Sequence, residues 1–501
     1  MNSKIIFWIN DDLVQIGLTK ILQEKYNFEN YAILNITEKQ KQFFQKQRLV
    51  KFNKIWYYHD HIHKTSKTPD LAYLKSIEEK YKINLWLLAS NERFFSEFNK
   101  FYKFSQNEIL SILEQECKLF ENIIDKVQPD FFLAAVTTLH HDHLFYEICK
   151  AKGVKVLMIK PSFLLGKFII SSETDTIENI QSSTSYHFSS LTELQNYLKK
   201  YSSNIQVKRN LNEFQSSKRD YLQAAVQFLF SANSNPKTHY TYYGRSKFAV
   251  LKNMIVYTIK RRYRKNFINK NLIYDFENKK PFIYFPLHIE QERGLLIDAP
   301  FYTNQIELIR NIAKSLPVGY DLYVKEHPTQ VLRGWRSISD YKQIMDLPNV
   351  TLIHPSIKSE DIIKKSSLVV TIGGTSGLEA AFYGKPSIIF TDQEYSILPS
   401  VHKIKTTNEL PNAIKTSLKK QLRISDLNNY INLIESNSFE FDFHRLSVEF
   451  DNYFHLGGFL ADVKIPINKM KSFLEQNNGD YEKLAAEFVK KIQKYEHQKS
   501  L

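Results

Sequence analysis

The sequence predicts an α/β protein with two doubly wound, mostly parallel sheets that face a common cleft, followed by C-terminal helices. Two stretches indicate this fold, because β-rich runs alternate in them with helical patterns whose apolar residues recur every three or four positions: 1–165 and 281–410. The length of 501 residues suits two or three domains of about 150 residues each. Ligands in such sheets bind beyond the carboxyl ends of the strands, so we expect the functional residues in the loops that follow strands.

Four parts follow from this pattern: a Rossmann-like N-terminal unit (1–170), an irregular and helical linker (171–280), a second Rossmann-like unit (281–425) and C-terminal helices (426–501). The predicted strands of the first unit are Lys4–Ile9, Tyr31–Ile36, Lys54–Tyr58, Asn84–Leu88, Asp130–Val136 and Val154–Ile159. Those of the second are Phe282–Pro286, Asp321–Lys325, Val350–Ile353, Leu368–Ile372 and Ser387–Phe390. Within the linker, Ser231–Thr241 has the composition of a loop.

Composition restricts the class of protein. Lys and Arg number 68 against 53 Asp and Glu, for a formal charge of +15. No run approaches the ~18 apolar residues of a spanning helix. The chain meets acid at Asp11, too early for a secretory signal, and its two cysteines form no disulfide framework. We therefore expect a cytoplasmic protein.

Glycine is scarce but locally concentrated. Only 14 residues are glycine, yet Gly373, Gly374, Gly377 and Gly384 fall within a strand–turn–helix pattern. A helix N-terminus beside a tight turn is a favoured site for phosphate, and the hydroxyls of 375–376 stand at that point. The pattern is neither a P-loop nor a dinucleotide fingerprint. The alternative is a simple helix cap by Thr or Ser.

A second motif follows the strand Asp321–Lys325, which Pro328 ends. It places Lys325, Glu326 and His327 at the end of a neighbouring strand, and Arg333 and Arg336 come shortly after. A Lys and a His that face the glycine turn could neutralise a phosphate leaving group. In the alternative, His327 only caps a turn and Lys325 is solvated.

Together, Lys325-Glu-His-Pro and Gly374-Thr-Ser-Gly-Leu-Glu-Ala, the latter followed by Gly384-Lys-Pro, resemble the signature pair of the capsule polysaccharide biosynthesis family. Its relatives include bacterial Kdo, sialyl and polysialyl transferases with a His-Pro and a Ser/Thr motif on a GT-B scaffold. Phe285-Pro-Leu-His-Ile-Glu-Gln-Glu also resembles the first strand and loop of that family's second unit. The resemblance covers roughly Pro281–Leu410.

This resemblance implies a GT-B fold and a glycosyltransferase. In it, His327 and the hydroxyls of Thr375 and Ser376 bind the donor phosphate, and Glu379 takes the ribose hydroxyls. The full set of donor-binding residues that we predict is Lys325, Glu326, His327, Arg336, Gly373, Gly374, Thr375, Ser376, Gly377 and Glu379.

The resemblance further implies a nucleotide-sugar co-substrate, with a CMP-linked ulosonic acid such as Kdo or sialic acid favoured over a UDP-sugar. The acceptor would be a surface or capsular polysaccharide or a lipid-linked glycan, and no cofactor or catalytic metal would be needed. Two alternatives remain: a UDP-sugar 2-epimerase-like enzyme and a non-catalytic glycan-binding subunit of a polysaccharide assembly complex.

Other side chains after strands are candidates for catalysis. Asp11 and Asp12 could supply a general base, or could cap the following helix. Glu290, near His288 and Glu292, could orient donor or acceptor, or could belong to a surface loop. We therefore predict Asp11, Asp12, Glu290 and His327 as catalytic.

Two histidine clusters and one basic segment are the remaining candidates for a functional role. His59–His63 and His140–His143 contain ligands suited to divalent metals, but their spacing matches no known zinc helix motif. Segment 247–270 carries eight basic residues and no acid, with an apolar stripe through Phe248, Ile255 and Ile259. It could lie on the inner face of an anionic membrane or form a solvated helix. No motif supports nucleic-acid binding.

Overall fold

The computed structural model describes residues 3–65, 67–95, 98–164, 166–177, 186–199, 218–275 and 280–500. Parts of the predicted linker 171–280 therefore lie outside the described residues, among them much of the Ser/Thr-rich run at its start. In the rest of the chain, two sheets of seven and six strands form separate units. The predicted fold class is confirmed.

The first sheet is parallel except at one edge. Its strands are β1 (Lys4–Asn10), β2 (Glu29–Asn35), β3 (Lys54–Tyr57), β4 (Phe131–Ala135), β5 (Lys155–Pro161) and β6 (Lys167–Ser171). Their order is β6-β5-β4-β1-β2-β3, with β6 antiparallel to β5. Alternate residues of β1 serve two cores, because Ile5 and Phe7 face one side of the sheet while Ile6 and Trp8 face the other.

Helices cover both faces of this sheet. Their bounds are Gln15–Lys25, Glu38–Lys46, Leu71–Tyr81, Leu85–Ser90, Gln106–Val127 and His140–Ala151. The linker adds the helices Leu191–Leu198, Lys218–Phe230, Asn235–Thr238 and Lys247–Asn271.

The second sheet is wholly parallel. Its strands are β7 (Phe282–Pro286), β8 (Asp321–Lys325), β9 (Val350–Ile353), β10 (Leu368–Thr371), β11 (Ser387–Ile389) and β12 (Val401–Lys403). Their order, β12-β11-β10-β7-β8-β9, makes β10, β7 and β8 direct neighbours. The helices of this unit are Arg293–Leu296, Gln305–Lys314, Ile338–Met345, Ser359–Lys365, Ser376–Phe382 and Leu410–Ser417.

The C-terminal segment returns to the first unit. After the helix Ile424–Asn437, the short strand β13 (Phe439–Glu440) pairs with β6 and extends the first sheet. The helices Phe443–Phe454, Ile467–Gln476 and Asn478–Ser500 follow, and their side chains share one core with β1. The helices that we predict as a separate part thus complete the N-terminal unit.

A buried apolar joint connects the two units. It combines Leu164 and Ile169 of the first unit with Leu378 and Tyr395 of the second, and Tyr430 of the connecting helix packs among them. The ring of Phe163 also lies edge-on to Tyr395, with 5.0 Å between the ring centroids. Beside this joint, buried Lys160 on β5 pairs with buried Glu394, with Nζ and Oε1 3.0 Å apart.

Two local predictions are wrong. The predicted strand Asn84–Leu88 is a helix over Leu85–Ser90, because the Asn84 side chain accepts a hydrogen bond from the Leu87 N–H and caps it. A short apolar run does not distinguish strand from buried helix. The predicted loop Ser231–Thr241 contains the helix Asn235–Thr238 and ends in a 3₁₀ turn whose Tyr240 is buried in the first unit.

The contact between Gly17 and Tyr481 tests the docking of the C-terminal helix. A Cβ at position 17 would lie 2.3 Å from the Tyr481 ring, which is buried. We expect Gly17→Ala to lower the free energy of unfolding by about 1–3 kcal/mol, measured by urea denaturation, because the added carbon overpacks this contact.

Adding Tyr481→Leu to Gly17→Ala should recover part of the loss. As a control, Gly479→Ala enters a helix where a Cβ meets nothing within 4 Å, and it should be neutral or stabilising by about 0.5–1 kcal/mol. Equal stability of Gly17→Ala and the unmodified chain would contradict the packing described.

Candidate functional site

The predicted donor residues gather at the ends of three neighbouring strands. The loops after β7, β8 and β10 leave the same edge of the second sheet, because these strands are parallel and adjacent. His288 in the first loop contacts Thr371 at the end of β10, with Nε2 and Oγ1 3.3 Å apart. The loops after β7 and β10 are therefore in contact, and the charge of Glu379, just beyond the glycine turn, acts on Lys325 of the His-Pro motif.

Lys325 ends β8 with its side chain buried. Its Nζ donates to Ser359 Oγ at 2.9 Å. Burial lowers the pKa of Lys325 to about 8, against the opposing effects of Glu379 and Glu326. The ammonium is thus charged at neutral pH and incompletely solvated, which suits it to bind an anion.

His327 contributes one nitrogen to the fold and leaves the other open. Its Nδ1 accepts from the Thr329 backbone N–H at 3.3 Å and caps the 3₁₀ helix Pro328–Arg333. Burial, with Lys325 and Arg336 nearby, lowers the pKa of His327 to about 4. The neutral ring therefore carries its proton on Nε2, which has no hydrogen-bond partner among the described residues. His327 can therefore cap the turn through Nδ1 and bind a ligand through Nε2 at the same time.

Glu326, Arg336 and Glu290 form an ion-pair network. Arg336 donates from Nε to Glu326 at 2.9 Å and from Nη1 to Glu290 at 2.6 Å, and its Nη2 donates to the His288 carbonyl. Tyr341 donates to the same Glu326 oxygen at 2.8 Å. Glu326 and Arg336, which we predict as donor ligands, are thus occupied in tying the loop after β8 to the loop after β7. Glu290 remains about one-third exposed.

The glycine cluster allows close side-chain approach. A Cβ at Gly373 would lie 2.5 Å from Gln393 and from Thr391, and one at Gly377 would lie 2.6 Å from the Tyr395 hydroxyl. A Cβ at Gly374 would lie 3.0 Å from His288 Nε2. These three glycines have no positive φ, so close packing makes a side chain unfavourable there.

The hydroxyls beside this turn are unused by the fold. The helix Ser376–Phe382 has Thr375 at its N-cap, and no side chain caps it. Neither Thr375 nor Ser376 makes a side-chain hydrogen bond within the part of the chain that the structure describes. The capping alternative is therefore wrong. With only seven residues, the helix supplies a weak dipole, so an anion bound here would depend mainly on side chains. Glu379 lies in its first turn, close enough to Lys325 to influence its pKa.

Asp11 and Asp12 lie in the other unit, after β1. Val14 occupies the N-cap of the following helix without a capping side chain, so neither aspartate has the predicted alternative role. Burial, with Asp11 alongside, raises the pKa of Asp12 to about 7. Asp451 and His455 of the C-terminal segment adjoin the pair. No hydrogen bond or ion pair within the described ranges connects it to the donor cluster.

The first histidine cluster is divided between buried and exposed positions, and the second is largely buried. His59 is buried with its ring 3.8 Å from that of His239, whereas His61 and His63 are exposed. His140 is wholly buried between two carboxylates, at 2.8 Å from Glu92 and 3.0 Å from Glu116.

This buried network contains the one potential metal group among the described residues. Ligand atoms of Glu116, His140 and His141 lie within 4.8 Å of one another. Both ring nitrogens of His140 already face carboxylates, and Tyr58 donates to Glu116. These contacts occupy most polar atoms of the group in an ion-pair and hydrogen-bond network, with the buried Glu116 Oε2 left without a partner among the described residues, and we propose no metal there.

Sequence reasoning missed the carboxylate partners of His140. One signal was present: Glu116 interrupts the apolar face of the helix Gln106–Val127 between the buried residues Leu113 and Phe120. A charged residue in such a position requires a buried partner. For Glu92, in a short loop, the sequence contains no comparable signal.

A cavity of about 90 Å³ opens between the two units near this network. Its lining includes Arg93, Thr138 and His143 of the first unit and Leu296 and Pro300 of the second. Arg93 donates to the Thr138 carbonyl at 2.8 Å. Burial lowers the pKa of Arg93 and the charge of Arg333 acts in the same direction, so guanidinium groups of both units lie near each other at the cleft.

The Glu92–His140–Glu116 network makes a prediction about pH. Burial alone would lower the pKa of His140, but Glu116 and Glu92 outweigh it and raise the pKa from 6.5 to about 10. Protonated His140 therefore stabilises the fold. This contribution to the free energy of unfolding is fully present below pH ~6.5 and is lost as pH rises towards 10. We expect His140→Gln to lower the free energy of unfolding at pH 6 by about 3 kcal/mol or more, because two buried carboxylates lose their cation.

Urea denaturation at several pH values measures this difference in the free energy of unfolding. The difference between the unmodified chain and His140→Gln should shrink steadily from pH 7 to 10. A control, His63→Gln, changes an exposed histidine and should give no such difference. A His140→Gln deficit that is constant from pH 6 to 10 would show that His140 is not buried as a cation.

Comparisons with known proteins bear on the second unit above all. Residues 182–412 match the family model described as "Capsule polysaccharide biosynthesis protein". Among curated proteins, none matches the chain significantly.

Several solved structures are similar in fold. The Thermosulfurimonas dismutans KpsC, a β-Kdo 2,7-transferase, is 14% identical with a TM-score of 0.30, over 64% of this chain and 89% of that one. The UDP-GlcNAc 2-epimerase of Methanocaldococcus jannaschii is 11% identical with a TM-score of 0.24, over 84% and 94%. The S. aureus MnaA–UDP co-structure is 12% identical with a TM-score of 0.24, over 91% and 97%.

Identities this low extend no activity to this chain. The two doubly wound units are nevertheless those of the predicted GT-B class. Residues 182–412, just under half of the chain, carry the pattern of the capsule polysaccharide biosynthesis family, and the resemblance predicted from the His-Pro and glycine motifs is confirmed over that segment.

Proposed function

We propose that the protein is a GT-B glycosyltransferase that moves a sugar from a nucleotide donor to a surface or capsular polysaccharide or to a lipid-linked glycan. One observation carries the proposal. Lys325, the free Nε2–H of His327 and the unused hydroxyls of Thr375 and Ser376 stand on neighbouring loops, within the segment that matches the family. This set can receive the phosphate of a nucleotide-sugar.

The roles in the reaction follow from the chemistry of these groups. An acceptor hydroxyl attacks the anomeric carbon while the bond from that carbon to the donor phosphate oxygen breaks, and the nucleotide leaves with the bonding electrons. Lys325 and His327 stabilise the negative charge that develops on the leaving phosphate. To Glu379, whose charge acts on Lys325, we assign the hydrogen bonds from the ribose hydroxyls.

The proton of the acceptor hydroxyl needs a base. Asp12 is our first choice, because its pKa of about 7 lets a carboxylate accept a proton near neutral pH, and Asp11 shares the loop. Because these residues belong to the unit opposite the donor cluster, closure of the cleft would bring them to the sugar. Glu290, which is partly exposed on the donor side, is the alternative base.

For the donor we propose a CMP-linked ulosonic acid in preference to a UDP-sugar. The His-Pro and Ser/Thr motifs favour this class. The cleft adds support, because Arg93 and Arg333 lie near each other there, and Arg333 is exposed. Guanidinium groups recognise a carboxylate such as that of an ulosonic acid.

Donor binding tests this proposal. We expect one of CMP, UDP, GDP or CDP, or the corresponding nucleotide-sugar, to raise the melting temperature of the protein, with the CMP compound most effective. His327→Ala should abolish that shift and sugar transfer, because Nε2 no longer contacts the phosphate. His402→Ala, on the edge strand β12, is the control and should respond as the unmodified chain does.

Three results would count against the proposal. Stabilisation by none of these nucleotides would exclude the donor site. An unchanged response of His327→Ala would mean that the His-Pro motif only caps its turn. Conversion of a UDP-sugar to its 2-epimer, without any acceptor, would favour the epimerase instead.

The pKa of Lys325 gives the binding a pH dependence. If the ammonium holds the donor phosphate, nucleotide affinity should fall about tenfold between pH 7 and pH 9, because Lys325 loses its proton with a pKa of about 8. Isothermal titration with the nucleotide identified above measures it. Lys325→Gln should bind weakly with little dependence on pH, whereas Lys314→Gln, an exposed lysine of the same unit, should retain the full dependence. Equal affinity of the unmodified chain at pH 7 and 9 would contradict this role.

A further inference from the structure

An exposed apolar surface extends over two neighbouring linker helices. The helices Lys218–Phe230 and Lys247–Asn271 run side by side, because the Tyr221 hydroxyl donates to Met254 Sδ at 3.3 Å and Lys247 Nζ donates to the Leu229 carbonyl at 2.5 Å. Six of their large apolar side chains are 56–85% exposed: Leu222, Val226, Phe230, Phe248, Ile255 and Ile259. We call this set, with the basic residues described next, the apolar–basic surface.

Unpaired cations accompany these apolar side chains. Between positions 252 and 265, the second helix carries five exposed basic residues that form no ion pair within the described part of the chain: Lys252, Lys260, Arg261, Arg262 and Lys265. Segment 247–270 contains no acid at all. A solvated surface helix on this protein would be expected to mix charges, as the helix Leu71–Tyr81 does with its pair Lys75–Glu79.

The opposite face of the helix Lys247–Asn271 fixes it to the second unit. Tyr257 donates to the Leu332 carbonyl at 3.1 Å, Arg264 donates to the Trp335 carbonyl at 2.7 Å, and Ile268 is fully buried. Phe248, Ile255 and Ile259 recur at seven and four residues on the outward stripe. The helix cannot turn this stripe inward without losing those contacts.

From this arrangement we infer that the apolar–basic surface docks on an anionic lipid bilayer. Exposed Phe and Ile side chains enter the region between headgroups and acyl chains, while the lysines and arginines contact anionic headgroups. Within the described residues, no helix is sufficiently long and apolar to cross a bilayer, so the contact is peripheral.

Charge favours a bilayer over other occupants. A second copy of the chain would oppose five unpaired cations to five more. Nucleic acid would contact the cations but would leave the Phe and Ile side chains without a partner. The inference does not depend on the activity proposed above. Docking would nevertheless affect that activity. The helix contacts Leu332–Trp335, which follow the His-Pro motif, so docking holds the loop after β8 at a fixed height above the lipid.

Sedimentation of the full chain with vesicles tests the inference. We expect binding to vesicles of phosphatidylcholine with phosphatidylglycerol, weak binding to phosphatidylcholine alone, and loss of the difference at high salt. Phe248→Ser/Ile255→Ser/Ile259→Ser should weaken binding about tenfold or more. Lys260→Gln/Arg261→Gln/Arg262→Gln should remove the preference for the anionic lipid.

A matched variant controls for net charge. Lys75→Gln/Lys471→Gln/Lys490→Gln removes three cations that are exposed elsewhere and should bind as the unmodified chain does. Phe248→Trp should in addition show a blue-shifted difference emission on anionic vesicles, measured against the four native tryptophans. All the substituted side chains are exposed, so equal melting temperatures should confirm that the variants fold.

Several results would overturn the inference. The first is failure of the unmodified chain to bind anionic vesicles, and the second is an equal weakening of binding by the control variant. The third is unchanged binding by both the triple serine variant and Lys260→Gln/Arg261→Gln/Arg262→Gln. A dimer in solution that the triple serine variant dissociates would assign the surface to a second copy of the chain instead.

Discussion

The buried ion pair between Arg336 and Glu326 is the interaction on which the candidate donor site depends. Both residues follow β8, and Arg336 also donates to Glu290 and to the His288 carbonyl, so Arg336 connects this loop to the loop after β7. Burial of two charges is tolerated only when each is paired and hydrogen-bonded, so this geometry is strongly constrained. His327 lies next to Glu326 in the chain, and its backbone N–H donates to Glu326 at 2.8 Å. The position of the His327 imidazole is therefore tied to this buried ion pair.

The glycine turn completes the same arrangement from the side of β10. Close approach of Gln393, Tyr395 and His288 excludes a Cβ from this turn. Glycine loses more conformational entropy on folding than other residues do, and the chain contains little of it elsewhere. It occurs here because three loops must pack against one another. Within the described part of the chain, the hydroxyls of Thr375 and Ser376 make no side-chain hydrogen bond, so they are available to a ligand. Rigid packing and ligand access are thus two results of one set of contacts.

Much of the fold and about half of the site could be predicted. Ten of the thirteen strands in the described residues are predicted to within two residues, because their apolar runs are bounded by clear turn signals. The prediction misses β6 and β13 at one edge of the first sheet and β12 at an edge of the second. It also assigns Asn84–Leu88 wrongly, because a short apolar run is ambiguous. The gathering of Lys325, His327 and the glycine turn was predictable from parallel-strand topology. The pairing of Arg336 with Glu326, by contrast, depends on side-chain directions in an irregular loop, which no period in the sequence encodes. The carboxylates around His140 come from positions 92 and 116, and only folding brings them together.

The sequence by itself determined the two doubly wound units, the family resemblance of the second unit and the residues able to bind a phosphate, because periodicity and strand-end motifs are local properties. Tertiary structure decided how those residues divide. Polar groups remain available to a ligand on Lys325, His327, Thr375 and Ser376. Glu326 and Arg336 instead form an ion pair with each other. It also decided that the C-terminal helices complete the first unit and that one stripe of the helix Lys247–Asn271 stays exposed. Partnership between side chains and burial of a helix face depend on contacts between distant segments, and these exist only once the chain has folded.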